Sequence, residues 1–112
     1  MNRLPVLKGT LDILVLRALS WTPMHGFEIV TWLERAAKDA LDIEDSALYQ
    51  AVYRLEERGL VAASWGVTEN NRKAKFYKLT RKGRVTADAE HNSWLRLSKA
   101  VTRVLRGLEQ GA

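Results

Sequence analysis

Apolar positions recur along this chain at two periods, and each change of period marks an element. From 9 to 20, Leu11, Leu14, Val15, Ala18 and Leu19 fall at helical spacing, which predicts an amphipathic helix opened by Gly9-Thr10. Ile13 and Leu16 are apolar too, so this face is wider than one packed side needs and predicts a helix sandwiched between its own domain and another element. Pro23 ends any helical continuation through Ser20-Trp21-Thr22-Pro23-Met24. A second helix is predicted from His25-Gly26 to about Ala40. Phe27, Val30, Leu33 and Ala37 form its inner stripe, with Ile29 and Trp32 beside it. Leu41 and Ile43 are expected to anchor the following link inside.

The third helix, 45–58, organises the rest. Asp45 is placed to cap its first turn and Gly59 suits the left-handed position that ends it. Leu48, Val52 and Leu55 make one buried stripe, while Ser46, Ala47, Gln50 and Arg54 fall on the other side. Such a helix can enter a DNA major groove. Two β-prone runs follow, Leu60 to Val67 and Lys73 to Thr80, joined by turn residues around Glu69-Asn70-Asn71. A helix followed by a two-stranded hairpin with a charged tip predicts a winged helix-turn-helix.

From about Arg81 to Leu108 no proline interrupts the chain, and a helix of that length spans on the order of 40 Å at ~1.5 Å per residue. Trp94, Leu97, Val101, Val104 and Leu108 repeat at three-four spacing, the mark of a coiled-coil seam. Leu95 and Leu105 widen the seam. A domain this small cannot cover it alone. The economical partner is the same helix, or the first helix through Leu11, of a second copy, which predicts a two-fold homodimer. The expected fold is therefore mainly α with a small β-hairpin. A winged-helix DNA-binding domain over 1–80 is followed by a C-terminal dimerisation helix over 81–112.

Charge sharpens this picture. The 112 residues carry a net charge of +5. Between Arg72 and Arg84 there are seven Lys or Arg and no acid, whereas a merely solvated face carries both signs. Double-stranded DNA is the partner that this predicts. Lys8, Tyr49, Arg54, Arg72, Lys73 and Lys75 are candidates for phosphates, and Ser46, Ala47 and Gln50 for base edges.

Other chemistry finds little support. The chain has no cysteine, which excludes disulfides and thiolate metal sites and suits a reducing cytoplasm. No apolar run reaches the ~20 residues of a membrane span, and no secretory leader is read at the N-terminus. The two histidines, His25 and His91, have no ligand-like neighbours at fixed offsets, so no metal is expected. His25 reads as a cap or packing residue. Asp39, Asp42, Glu44 and Asp45 gather at a helix N-terminus, where the dipole favours negative charge. Trp21, Trp32 and Trp65 read as core or edge packing. Without a nucleophile–base pairing or a phosphate loop, neither an enzyme nor a cofactor is read. The other class open to this pattern is a winged-helix protein-interaction module that does not read DNA.

Leu7-Lys8-Gly9-Thr10-Leu11, His25-Gly26-Phe27-Glu28-Ile29, Ala47 through Gly59, and Trp65-Gly66 through Tyr77-Lys78-Leu79-Thr80 together resemble the PadR family of bacterial transcriptional regulators, in its compact subfamily with one C-terminal helix. The resemblance implies a winged-helix homodimer on inverted-repeat operators, usually a repressor, with phenolic acids or cationic drugs releasing some members. It also implies an effector site. In similar drug-sensing members an aromatic of the last helix lines a cavity between subunits, and Ser93-Trp94 places Trp94 there. A planar or cationic molecule could stack on that ring. Two positions depart from the family pattern, which often has Thr where Ala47 stands and Pro where Gln50 stands. Gln50 can pair bidentately with adenine.

Overall fold

The computed structural model describes residues 3–107. Its elements run β1 (Leu4–Pro5), α1 (Lys8–Leu19), β2 (Met24–His25), α2 (Gly26–Ala36), β3 (Leu41–Asp42), α3 (Asp45–Glu57), β4 (Val61–Val67), β5 (Lys73–Leu79) and α4 (Arg81–Arg106). The core is where the helical stripes meet: Leu11, Val15, Leu16 and Leu19 of α1, Ile29, Val30 and Leu33 of α2, and Leu48, Val52 and Leu55 of α3. Tyr77 and Leu79 close it from the sheet. The fold is a winged helix, mainly helical, with α4 reaching beyond it.

The sandwiched first helix is observed, since α1 packs against α2, α3, α4 and β5. Leu11 is 2% exposed within this core, so it is closed to a second copy. The outward rim of α1 is carried instead by Leu7, Gly9, Thr10 and Ile13, which face Trp94 and Leu97. The inner stripe of α2 is also rotated from the expected one. Ile29, Val30 and Leu33 are buried, whereas Phe27 is 71% exposed.

The second helix stops at Ala36 rather than near Ala40. Lys38 and Asp39 turn left-handed, at φ 52° and 60°, and close the helix end. Arg3 holds that turn from outside, donating to the Asp39 carbonyl at 3.3 Å and to Glu34 Oε2 at 3.1 Å. This brings β1 beside β3 as a short parallel pair, Leu4 opposite Leu41 and Pro5 opposite Asp42. Strands of two residues are too short to announce that pairing by alternation.

At α3 the N-cap is Glu44, not Asp45, and no side chain bonds the free N–H groups there. Asp45 sits one residue inside, where its charge still favours the helix dipole. Gly59 ends the helix at φ 73°, a conformation that glycine adopts without Cβ crowding. The wing is three-stranded rather than two-stranded, in the order β2-β5-β4. β4 and β5 pair antiparallel from Val61↔Leu79 at the base to Val67↔Lys73 at the tip. β2 adds Met24↔Tyr77 and His25↔Phe76 on the other edge.

The start of α4 is locked onto the turn after α3. Thr80 accepts from the Gly83 N–H at 3.0 Å and donates its hydroxyl to the Gly59 carbonyl at 2.7 Å. Lys82 Nζ reaches the Arg58 carbonyl at 3.0 Å. From there α4 runs 26 residues. Trp94, Leu97, Val101, Val104 and Leu105 all remain exposed along it. Leu108, the expected end of this seam, lies outside the described residues.

Candidate nucleic-acid interface

A groove of about 590 Å³ opens between the N-terminus of α2, the outer face of α3 and the wing. Tyr49, Arg72, Lys73 and Lys75 line it, together with His25, Phe27, Glu28, Thr68, Glu69 and Asn70. Four of the expected DNA-facing residues are thus brought together by elements far apart in sequence. Ser46 and Gln50 are exposed on α3 outside the groove lining. Lys8 is exposed at the start of α1 and stands apart from the groove.

Each side chain has a physical reason for its place. Tyr49 packs close against the α2 backbone because Gly26 has no Cβ; one built there would come within 2.4 Å of its hydroxyl. The first turn of α2 is fixed by a reciprocal cap. His25 Nδ1 accepts the Glu28 N–H at 3.3 Å, and Glu28 Oε1 accepts the His25 N–H at 3.1 Å. His25 therefore acts as a cap, and its ring also stands edge-on to Phe76 of the wing at 5.3 Å. The tip is held by Thr68, whose N–H donates to the Arg72 carbonyl at 2.8 Å and whose hydroxyl accepts the Arg72 N–H at 3.2 Å. Beneath the groove, burial first, then the Glu56 charge and then Tyr49 raise the Tyr77 hydroxyl above its usual 10.0.

Two of the expected contacts are placed otherwise. Arg54 is committed to Asp12 of α1, with Nε to Oδ2 at 3.3 Å and the second nitrogen to Oδ1 at 2.5 Å. The two side chains are 26% and 18% exposed, so this guanidinium ties α3 to α1 instead of reaching for a phosphate. Ala47 is half-buried and packs against the core, leaving Ser46 and Gln50 as the outward small polar groups of the helix start.

The bidentate link yields a first prediction. Replacing Arg54 by Ala leaves a partly buried carboxylate unpaired, and is expected to lower stability by about 1–3 kcal/mol. Asp12→Ala should cost a similar amount, and the double variant less than the sum, as chemical denaturation of all four chains would show. Additive losses would contradict the pairing.

The groove contains residues that the sequence reading passed over. Helical spacing places Phe27 in the core, and it faces outward here; His25 reads as a cap or packing residue and lines the groove as well. The sequence did carry a signal: Gly26, between His25 and Phe27, is the residue that lets Tyr49 approach α2.

A scan of family models matches residues 15–89 to the transcriptional regulator PadR-like family. The chain belongs to the PadR-like family of transcriptional regulators. Solved PadR-like structures share its architecture. One from Eggerthella lenta is 31% identical, covers 89% of this chain and 85% of its own, and superposes with a TM-score of 0.73. One from Bacillus cereus is 25% identical, covers 90% and 96%, and gives 0.74. An uncharacterised protein of Lysinibacillus sphaericus is 25% identical over 109 residues, 97% of this chain and all of that one. The PadR-like chain is thus a DNA-binding regulator rather than an enzyme. Among the described residues, no helix is long and apolar enough to cross a membrane.

Proposed function

We propose that the chain acts as a cytoplasmic homodimer that represses transcription from an inverted-repeat operator. Each subunit lays α3 in a major groove, with Ser46 and Gln50 at base edges. Tyr49, Arg72, Lys73 and Lys75 hold the flanking phosphates, and Lys8 reaches the backbone from α1. The observation that carries this reading is the groove itself, where three wing cations and Tyr49 converge beside the exposed face of α3. The winged body, 1–80, reads DNA, and the helical arm, 81–112, joins the copies through Leu97, Val101 and Val104.

A second groove, about 430 Å³, lies between α1 and α4 and includes Leu7, Ile13, Trp94 and Leu97. It supports the reading of Trp94 as an effector contact. A planar or cationic molecule stacked there would sit at the junction that sets the distance between the two α3 helices. A ligand that prefers one spacing shifts operator affinity by that preference.

Operator binding in a salt series tests this. The log–log slope should be about −0.9 per neutralised phosphate. Arg72→Ala should weaken operator and random duplex alike and reduce that slope by about one. Gln50→Ala should cost about 1–3 kcal/mol on the operator and little on random DNA. A flat salt response would contradict the DNA reading, and equal losses from Gln50→Ala on both duplexes would remove Gln50 as a reader.

A further inference from the structure

The wing has a second exposed feature besides its cations. Cross-strand partners of an antiparallel ladder project from the same face. Val61↔Leu79, Ala63↔Tyr77, Trp65↔Lys75 and Val67↔Lys73 therefore share one side of the hairpin. Toward the base this side is core, with Val61, Tyr77 and Leu79 buried. Toward the tip it runs past the body. Trp65 is 64% and Val67 63% exposed, and Lys73 Nζ stands over the Trp65 ring, 5.3 Å from its centre.

We propose that Trp65 and Val67 form an apolar ridge that the wing lays into the minor groove beside each half-site. The inference deepens the operator-binding reading and rests on it. A two-stranded ribbon is too broad for a minor groove about 6 Å wide, but one row of side chains is not. The walls of that groove are phosphates, and Arg72, Lys73 and Lys75 flank the ridge on the same tip. Its floor and sugars are apolar enough to cover an indole that water otherwise surrounds, and side chains of this kind wedge into minor grooves. A second copy of the wing fits poorly, because it would set these cations against their equals. The hairpin Val61–Leu79 has Glu69 as its one acid.

The guanine 2-amino group projects from the minor-groove floor, where an apolar side chain would bury it unpaired. A ridge of this chemistry therefore favours A·T over G·C at the position under the wing. The Gln50 contact in the major groove has no part in that preference.

The test uses the full chain and a duplex selected from a random pool by that chain. The pairs under the wing are then varied among A·T, G·C and I·C. Inosine keeps the major-groove pattern of guanine and lacks its 2-amino group. The wild type should bind the A·T and I·C duplexes alike and the G·C duplex about tenfold more weakly. Trp65→Ala should bind all three equally, near the level of the wild type on G·C, and Trp65→Phe should keep part of the preference. Thermal unfolding of both variants checks that the wing is intact. A chain with Trp21, Trp32 and Trp94 all changed to Phe should show Trp65 emission altered by the A·T duplex. Wild-type binding that ignores the three flanks, a preference that survives Trp65→Ala, or unchanged Trp65 emission would each overturn the ridge while leaving DNA binding standing. A wild type that selects no duplex would overturn both.

Discussion

Gly83→Ala is expected to be the most damaging single methyl in this chain. A Cβ at residue 83 would lie 2.0 Å from the Leu60 carbonyl oxygen. That oxygen belongs to backbone and already accepts the Thr80 N–H at 3.0 Å, so it cannot swing away as a side chain could. Either α4 lifts off the turn after α3, breaking the Thr80 and Lys82 bonds that seat it, or β4 shifts and disturbs the core end of the wing. Overpacking against yielding side chains costs about 1–3 kcal/mol, and a rigid partner puts this case at the top of that range or above it. For a domain of this size that amounts to a fall in melting temperature on the order of 10–20 °C. Gly9→Ala is the natural control. Residue 9 is helical and its Cβ would meet nothing within 4 Å, so that change should be neutral or stabilising by up to about 1 kcal/mol. Thermal unfolding of the two variants side by side decides the matter. Equal melting temperatures would show that the contact at Gly83 is not as close as described. The same junction aims α4 relative to α3, so a folded Gly83→Ala chain should also bind its operator poorly.

The second large effect concerns the seam. Val101→Glu combined with Leu97→Glu places two carboxylates where the helices of two copies are proposed to meet. Neither residue belongs to the core of the subunit, so the winged body should keep its stability and its circular dichroism. Sedimentation should show a single chain where the wild type shows two. Operator affinity should drop by about 10²–10⁴-fold, the gain that joining two binding modules ordinarily provides, while weak binding to random duplex persists. A double variant that still sediments as a pair would place the dimer contact elsewhere.

Some of this was legible in the residues because it rests on local period and charge. The buried stripe of α3, the glycine stop at Gly59, the two strands of the wing hairpin and the length of α4 all follow from spacing and turn chemistry. So does the concentration of cations after Asn71. What escaped depends on partners distant in sequence. Arg54 reads as free on a helical wheel, and only the fold brings Asp12, 42 residues away, into its reach. Leu11 reads as open to a second copy, but the fold buries it within the subunit's own core. Helical spacing places Phe27 inward, yet α2 buries Ile29, Val30 and Leu33 instead and leaves Phe27 in the groove. The pairings β1–β3 and β2–β5 involve strands of two residues, too short to show any alternation. The site was therefore visible as a region, while the division of labour inside it was set by tertiary contacts.

The central claim is that paired copies present two α3 helices to one duplex. Hydroxyl-radical footprinting of the full chain on its selected operator, with the bound stoichiometry measured on the same complex, tests it most directly. The account predicts two chains per duplex and two protected half-sites related by a dyad, centred about one helical turn, ~34 Å, or a multiple of it apart. One chain per duplex, or a single protected patch without a symmetry mate, would contradict it.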